Sequence, residues 1–248
     1  LPGSPIVNEF LFVIVPYLCL TTFVVGHLWR YRYDKFGWTT RSSQLYENRL
    51  LRIGSPLFHF GMLGVIGGHV IGLLVPQSWT DAVGIGEHTY HVVAVAGGLL
   101  AGVMTVVGMA ILVYRRRTVG PVFSATTRMD KVMYAFLAVV IVLGMWNTIA
   151  GSILTISGEY NYREGVSVWY RSFLAFHPDA SLMAEAPLGF QLHALVAFGL
   201  FALWPFTRLV HVFSAPLGYL TRPYIVYRSR DDQQLGSHGP RRGWDRVG

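Results

Sequence analysis

The sequence predicts an all-α integral membrane protein built as a bundle of five transmembrane helices. Three observations carry that prediction. Only 13% of the 248 residues are charged, against about 25% in soluble domains. Five apolar windows reach the roughly 20 residues needed to cross about 30 Å of hydrocarbon. The basic residues fall almost wholly in alternate connections between those windows, as a multi-pass topology requires.

The first window, residues 6–29, is too long for a signal-peptide core and has no basic stretch before it, so a retained helix is expected. The second, 53–75, carries Pro56 in its first turn, where a missing N–H costs little. The third, 91–114, runs into Arg115, Arg116 and Arg117, and the fourth, 132–156, follows Arg128 and Lys131. The fifth, 186–213, contains Pro205, which is expected to kink it. Its 28 residues would span roughly 42 Å, so its far end is expected to project beyond the hydrocarbon. Before it, the apolar stretch 166–176 is expected to lie as a short interfacial helix. Residues 1–230 are expected to form the membrane domain, and the polar stretch 231–248 a cytoplasmic tail that is disordered or orders on a partner.

Of the 20 Lys and Arg residues, 18 fall on one side of this five-span layout, and only Arg163 and Arg171 on the other. The positive-inside rule then places the N-terminus outside and the C-terminus in the cytoplasm. The net charge of +7 is thereby a topology signal, and no soluble basic surface remains for nucleic acid. Cys19 is the single cysteine, which excludes an internal disulfide and a Cys-ligated cluster. Any iron–sulfur centre must come from a partner.

Histidine is costly in a membrane span and marks a functional site by default. The second window carries His59 and His69, and the fifth carries His193 and His211. The two windows run antiparallel, so depth pairs His69 with His193 near the outer face and His59 with His211 near the inner face. Two such pairs are what two b-type haems need on their axial positions. A doubly ligated iron has no vacant position and transfers electrons. On a continuous fifth helix, the 18 residues between His193 and His211 make whole turns and separate them by about 27 Å along one face. The 10 residues between His59 and His69 span only about 15 Å. Tilt, the Pro205 kink or inclined ring planes must absorb the difference. The bland reading, hydrogen-bonded or interfacial histidines, suits a lone residue better than four that pair by depth.

His88 and His91 flank the start of the third span, and an imidazole there can accept a quinol hydroxyl proton, or simply be a wet helix end. Gly68 and Gly72, beside His69, leave room for a planar ring such as a quinol, though glycines serve helix packing equally well. Arg117, in the Arg115–Arg117 cluster, is a topology anchor that could also hold a haem propionate. His27 is read as interfacial; His177 and His238 receive no role.

Specific motifs then point to a family. They are Trp29–Arg30–Tyr31–Arg32–Tyr33–Asp34 with Arg41–Ser42–Ser43–Gln44, Leu57–Phe58–His59 through Gly67–Gly68–His69, Leu192–His193, and Pro205–Phe206–Thr207–Arg208–Leu209–Val210–His211 continuing to Tyr219–Leu220–Thr221–Arg222. Across nearly the whole chain to about Arg230, the sequence resembles the gamma subunit of respiratory nitrate reductase, a membrane cytochrome b. The resemblance implies haem ligation by His59, His69, His193 and His211, and oxidation of menaquinol or ubiquinol at the outer face of a prokaryotic cytoplasmic membrane. It further implies electron flow to an iron–sulfur beta subunit and a molybdenum-containing alpha subunit that reduces nitrate. Where the family can carry a lysine at the start of the third span, this chain has Thr89, so His88 or His91 is expected to substitute. The alternatives are a cytochrome b feeding another reductase, such as a heterodisulfide-reductase-like complex, or a haem-free transporter or anchor.

Overall fold

The computed structural model describes residues 4–34, 43–154 and 160–213. They all lie in one unit, Leu1–Ser214; a second unit, Ala215–Gly248, lies outside the described residues, as do Lys35, Arg41 and Ser42 and the expected tail. Nine α-helices occur among the described residues: α1 (Pro5–Tyr33, with a π-turn at Phe10–Ile14), α2 (Arg49–Leu74), α3 (Gln77–Ala82), α4 (Glu87–Thr118), α5 (Gly120–Ser124), α6 (Arg128–Trp146), α7 (Val166–Leu174), α8 (Ala180–Ala184) and α9 (Leu188–Leu203). A π-turn, Asn147–Ile153, extends α6. Five of the resulting rods, α1, α2, α4, α6 and α9, are long and apolar enough to cross a membrane. Arginines gather at one end of the bundle; residues 160–187 close the other, here called the far end.

Helices α2 and α4 pack most closely, because small residues line both. A Cβ on Gly61 would stand 2.6 Å from the Thr105 amide nitrogen, and one on Gly64 2.9 Å from the Ala101 Cβ. Helix α9 packs instead against α1 and α6. The α2 helix begins at Arg49, so Pro56 lies two turns inside it and not in its first turn.

The short helix α7 docks on the bundle through one buried face. Trp169 and Phe173 are each 2% exposed, packed with Phe12 and Phe198. Backbone needs explain the docking. Pro16 lacks the N–H that α-helical geometry would bring to the Phe12 carbonyl, and Trp169 Nε1 donates to that oxygen at 3.1 Å. At the end of α2, the Gly72 and Leu73 carbonyls have no helical donor. Ser167 Oγ donates to the first at 2.8 Å, and Arg171 Nη1 to the second at 3.1 Å.

The fifth helix also departs from expectation. It does not run on to residue 213 with a kink. After Leu203 come one 3₁₀ turn, Trp204–Phe206, an extended Thr207 (ψ 178°) and a second 3₁₀ turn, Arg208–Val212. The α-helical part, Leu188–Leu203, has 16 residues, or about 24 Å, so the sequence estimate of 42 Å fails. Pro205 starts the break, and the freed groups are recaptured. Thr207 Oγ1 accepts the Leu209 amide at 3.2 Å, and Arg30 Nη1 donates to the Pro205 carbonyl at 2.6 Å. Gly26 on α1 admits the proline ring: a Cβ there would meet Pro205 at 2.8 Å. Two motifs 175 residues apart thus meet at one joint.

Candidate functional site

The helices α2 and α9 stand apart, and histidine rings approach across the gap at two depths. The His69 and His193 rings lie 6.0 Å apart, centroid to centroid, at 24° between planes. The His59 and His211 rings lie 6.1 Å apart at 69°. The break after Leu203 absorbs the length mismatch: His211 rides on a 3₁₀ turn, not on the face of α9 that carries His193.

Hydrogen bonds fix three of the four tautomers. A carbonyl can only accept, so a ring nitrogen facing one carries the proton. His59 Nδ1 donates to the Ser55 carbonyl at 2.7 Å, His69 Nδ1 to Val65 at 2.8 Å, and His211 Nδ1 to Arg208 at 2.7 Å. In the neutral ring this tautomer leaves the Nε2 lone pair available, the form a metal needs, oriented as metal-ligating histidines commonly are. His193 lies over Gly144 of α6, where a Cβ would stand 3.1 Å from its Cε1. The glycine lets that ring stand where it does.

These dimensions suit an axial pair. A first-row metal holds imidazole nitrogen at about 2.0–2.1 Å, and the ring centroid lies about 1.2 Å behind that atom, so two trans imidazoles put centroids about 6.4 Å apart. Two imidazoles are too few for a tetrahedral zinc site but complete the axial set of a b-type haem. Among the described residues, no three or more His, Cys, Asp or Glu side chains gather as a protein cage would require. The residues present fit haem b at both pairs.

The other sequence candidates are distributed unevenly. Gly68 is open, with nothing within 4 Å of a built Cβ, as are Gly67, Gly97, Gly98 and Gly151. Gly72 is buried and already has a neighbour: a Cβ there would meet the Tyr162 hydroxyl at 2.9 Å. His88 and His91 are exposed on the first turns of α4. With Gly64 facing Ala101, Gly97 stands level with His69; His91 and His88 lie beyond it by about 9 and 13 Å. Arg117 is exposed, while Arg115 is 1% exposed and bonds Glu47 and Ser43, and Arg116 bonds Tyr134. The structure makes Arg115 and Arg116 braces of the arginine-rich end. His27 is buried, its Nδ1 on the Phe23 carbonyl and its ring against Phe23 and Phe213.

Sequence reasoning passed over a roof at the far end. Tyr162 stacks with Phe190 of α9 at 6.5 Å and shares a 3.1 Å hydroxyl contact with Tyr90 of α4. Its hydroxyl also lies against Gly72 of α2, so Tyr162 spans α2, α4 and α9 one turn beyond His69 and His193. Burial, with the Tyr90 hydroxyl adding to it, pushes the Tyr162 hydroxyl well above the usual phenol range, so it stays a neutral donor and acceptor. Arg163, 3% exposed, lies 3.8 Å over the Tyr90 ring and pairs with Glu87 at 3.0 Å. No local spacing announces these contacts, and those to α4 join residues more than 70 positions apart.

Comparison with known proteins places this site in a family. The family model described as nitrate reductase gamma subunit matches residues 8–230. The nitrate reductase gamma chain of Bacillus subtilis is 45% identical over 225 residues, covering 90% of this chain and 99% of its own length. The respiratory nitrate reductase 2 gamma chain of Escherichia coli is 35% identical over 229 residues, 90% of this chain and 97% of its own. The nitrate reductase-like protein NarX of Mycobacterium tuberculosis is 60% identical over 238 residues, but this chain spans only 36% of that relative's length. With the match running through all four paired histidines and both partners of the Arg30–Pro205 joint, the chain belongs to the nitrate reductase gamma subunit family.

Proposed function

We propose that this chain is the dihaem cytochrome b subunit of a respiratory nitrate reductase. It oxidises quinol at the outer face of the cytoplasmic membrane and delivers electrons to an iron–sulfur beta subunit and a molybdenum-containing alpha subunit in the cytoplasm. The observation that carries the reading is the pair of imidazole couples at metal-spanning separation, 6.0 and 6.1 Å between ring centroids, three of the four rings standing on helices able to cross a membrane and His211 on the turn that follows the fifth. The printed names of the B. subtilis and E. coli relatives support nitrate as the acceptor of the whole complex.

Haem b, when bound, supplies a one-electron carrier at each couple. The chain's own part is to hold and orient. His69 and His193 serve the outer site; His59 and His211 serve the inner one. The carbonyls of Val65, Ser55 and Arg208 fix three rings and raise the basicity of their Nε2 atoms. The arginine-rich end faces the cytoplasm by the positive-inside rule, which puts the Tyr162 roof on the outer side, excluding water from the outer site. Quinol enters beside the open Gly68, and its hydroxyl protons leave toward the outer side, where the exposed His88 and His91 receive them through water. Protons leave outward while electrons go inward. Each charge so separated across 100 mV is worth about 2.3 kcal/mol.

The test is a dithionite-reduced minus oxidised spectrum with redox titration of the purified chain. Two b-type components are expected. His69→Ala and His193→Ala should remove one of them, and His59→Ala and His211→Ala the other. In variants at His88 and His91 both components should stay while quinol-analogue oxidation slows. A chain without a Soret band, or His69 and His211 variants losing the same component, would overturn the reading.

A further inference from the structure

His211 cannot inherit its position from α9. The extended residue Thr207 uncouples the 3₁₀ turn from the helix, and a turn of five residues has little rigidity of its own. Something outside it must set the ring. The Arg30 contact holds the Pro205 carbonyl, six residues before the ring. The nearer restraint comes from α6. Arg208 Nε lies 3.0 Å from Asp130 Oδ1, and the backbone carbonyl of this same Arg208 accepts the His211 Nδ1 proton at 2.7 Å. The acceptor is three residues back, where His59 and His69 use carbonyls four back, because the turn is 3₁₀.

Asp130 is built as an anchor. It is 5% exposed, and its two carboxylate oxygens have separate tasks. Oδ2 accepts the Thr127 amide at 3.0 Å, while Thr127 Oγ1 accepts the Asp130 amide at 3.1 Å, a reciprocal cap on the first turn of α6. Oδ1 is left for Arg208. A carboxylate that only capped a helix would not need a buried guanidinium, and Arg208 is itself largely covered, with 21% of its side chain exposed.

We propose that Asp130 is a positioning residue for His211, acting through Arg208. It ties the start of α6 to the residue whose carbonyl orients the imidazole. This rests on the haem reading above and extends it to a residue outside the four histidines. Two consequences share one sign. Loosening the Arg208 carbonyl weakens the Nδ1–H···O bond, makes Nε2 less basic and disfavours the oxidised iron. Removing the carboxylate charge does the same. Both raise the midpoint potential of the His59–His211 site and leave the His69–His193 site unmoved.

The experiment is redox potentiometry with low-temperature EPR of the low-spin haem signals, on the full chain in its complex. Asp130→Asn and Asp130→Ala should shift the His59–His211 midpoint upward and broaden or move its highest-g signal. Asp130→Glu should recover much of the shift. Thr127→Ala removes half of the α6 cap but keeps the Asp130–Arg208 pair, so it should leave both midpoints in place. If Asp130→Ala fails to assemble, Asp130→Asn and Arg208→Gln decide the matter. Selective loss of the His59–His211 component with the other retained supports the proposal. Unmoved signals in Asp130→Asn and Arg208→Gln, or equal movement of both components, or a Thr127→Ala effect as large as that of Asp130→Asn, would overturn it. Absence of haem from the unaltered chain would overturn the parent reading instead, and shows before any variant is made.

Discussion

Gly108→Ala is a sharp test of how the α2–α4 contact sets the inner histidine. A Cβ at Gly108 would stand 2.7 Å from the Phe58 Cα and 2.9 Å from its Cβ, and ordinary contact begins at 3.4 Å. The Phe58 amide nitrogen lies closer still, and neither backbone atom can rotate away, so α2 must retreat by at least about 0.7 Å at Phe58. Overpacking of this kind costs about 1–3 kcal/mol. His59 is the next residue and moves with it. A functional constellation tolerates about 0.5 Å of displacement, so the shift should exceed what the His59–His211 pair absorbs. The assay is haem per chain and low-spin EPR of the purified variant. The His59–His211 component should be lost or displaced and the His69–His193 component kept. Gly120→Ala, at a position with nothing within 4 Å of a built Cβ, is the control. A Gly108→Ala chain with both signals and its thermal midpoint unchanged would refute the steric argument.

Two other outcomes are expected. Trp169→Phe keeps the ring but strips the Phe12 carbonyl of its indole donor; a buried unsatisfied acceptor costs about 1–3 kcal/mol, and a thermal melt should fall well below that of Trp146→Phe, whose side chain is 56% exposed. Desolvation pushes the Glu47 carboxyl up, but the Leu50 amide and the Arg115 guanidinium outweigh it and hold it below the usual carboxylate range. Its contribution is therefore full above the ordinary carboxylate pKa and lost as pH falls through the lowered value, so hydrogen exchange at the Leu50 amide should quicken in that acid window and lose its pH dependence in Glu47→Gln.

The parts of this molecule legible in the sequence are those with a local period or a local charge. Hydropathy located all five long helices, with ends one to five residues out except the C-terminal end of the fifth, whose α-helix stops at Leu203 and not at 213, because lipid contact is a property of each helix by itself. Depth alone paired His69 with His193 and His59 with His211, since antiparallel helices of one thickness leave little choice. What escaped depends on groups far apart in the chain. Pro205 announced a disturbance, but whether the helix bends or ends is decided by Arg30 and Gly26 on α1. The α7 segment reads as amphipathic, but what its apolar face docks on is set by Pro16, which leaves the Phe12 carbonyl without its α-helical donor. Gly72 reads as space for a ligand, and Tyr162, 90 residues on, occupies its side. Arg117 and Arg115 look alike in a run of three, and only the approach of Glu47 and Ser43 separates the brace from its exposed neighbour.

The indole bond of Trp169 also bears on how the chain is made. Its donor and acceptor are 157 residues apart, and ribosomes add about 5–20 residues per second. The first helix therefore waits about 8–30 s in the bilayer with a carbonyl that lacks its α-helical donor. During that interval the indole cannot serve the oxygen, and the α1 segment lacks the contact that seats it on α7. Membrane insertion of the N-terminal helix and its final seating are thus separate events in time. A chain stalled before residue 169 exposes the first of them to lipid and to quality-control proteases.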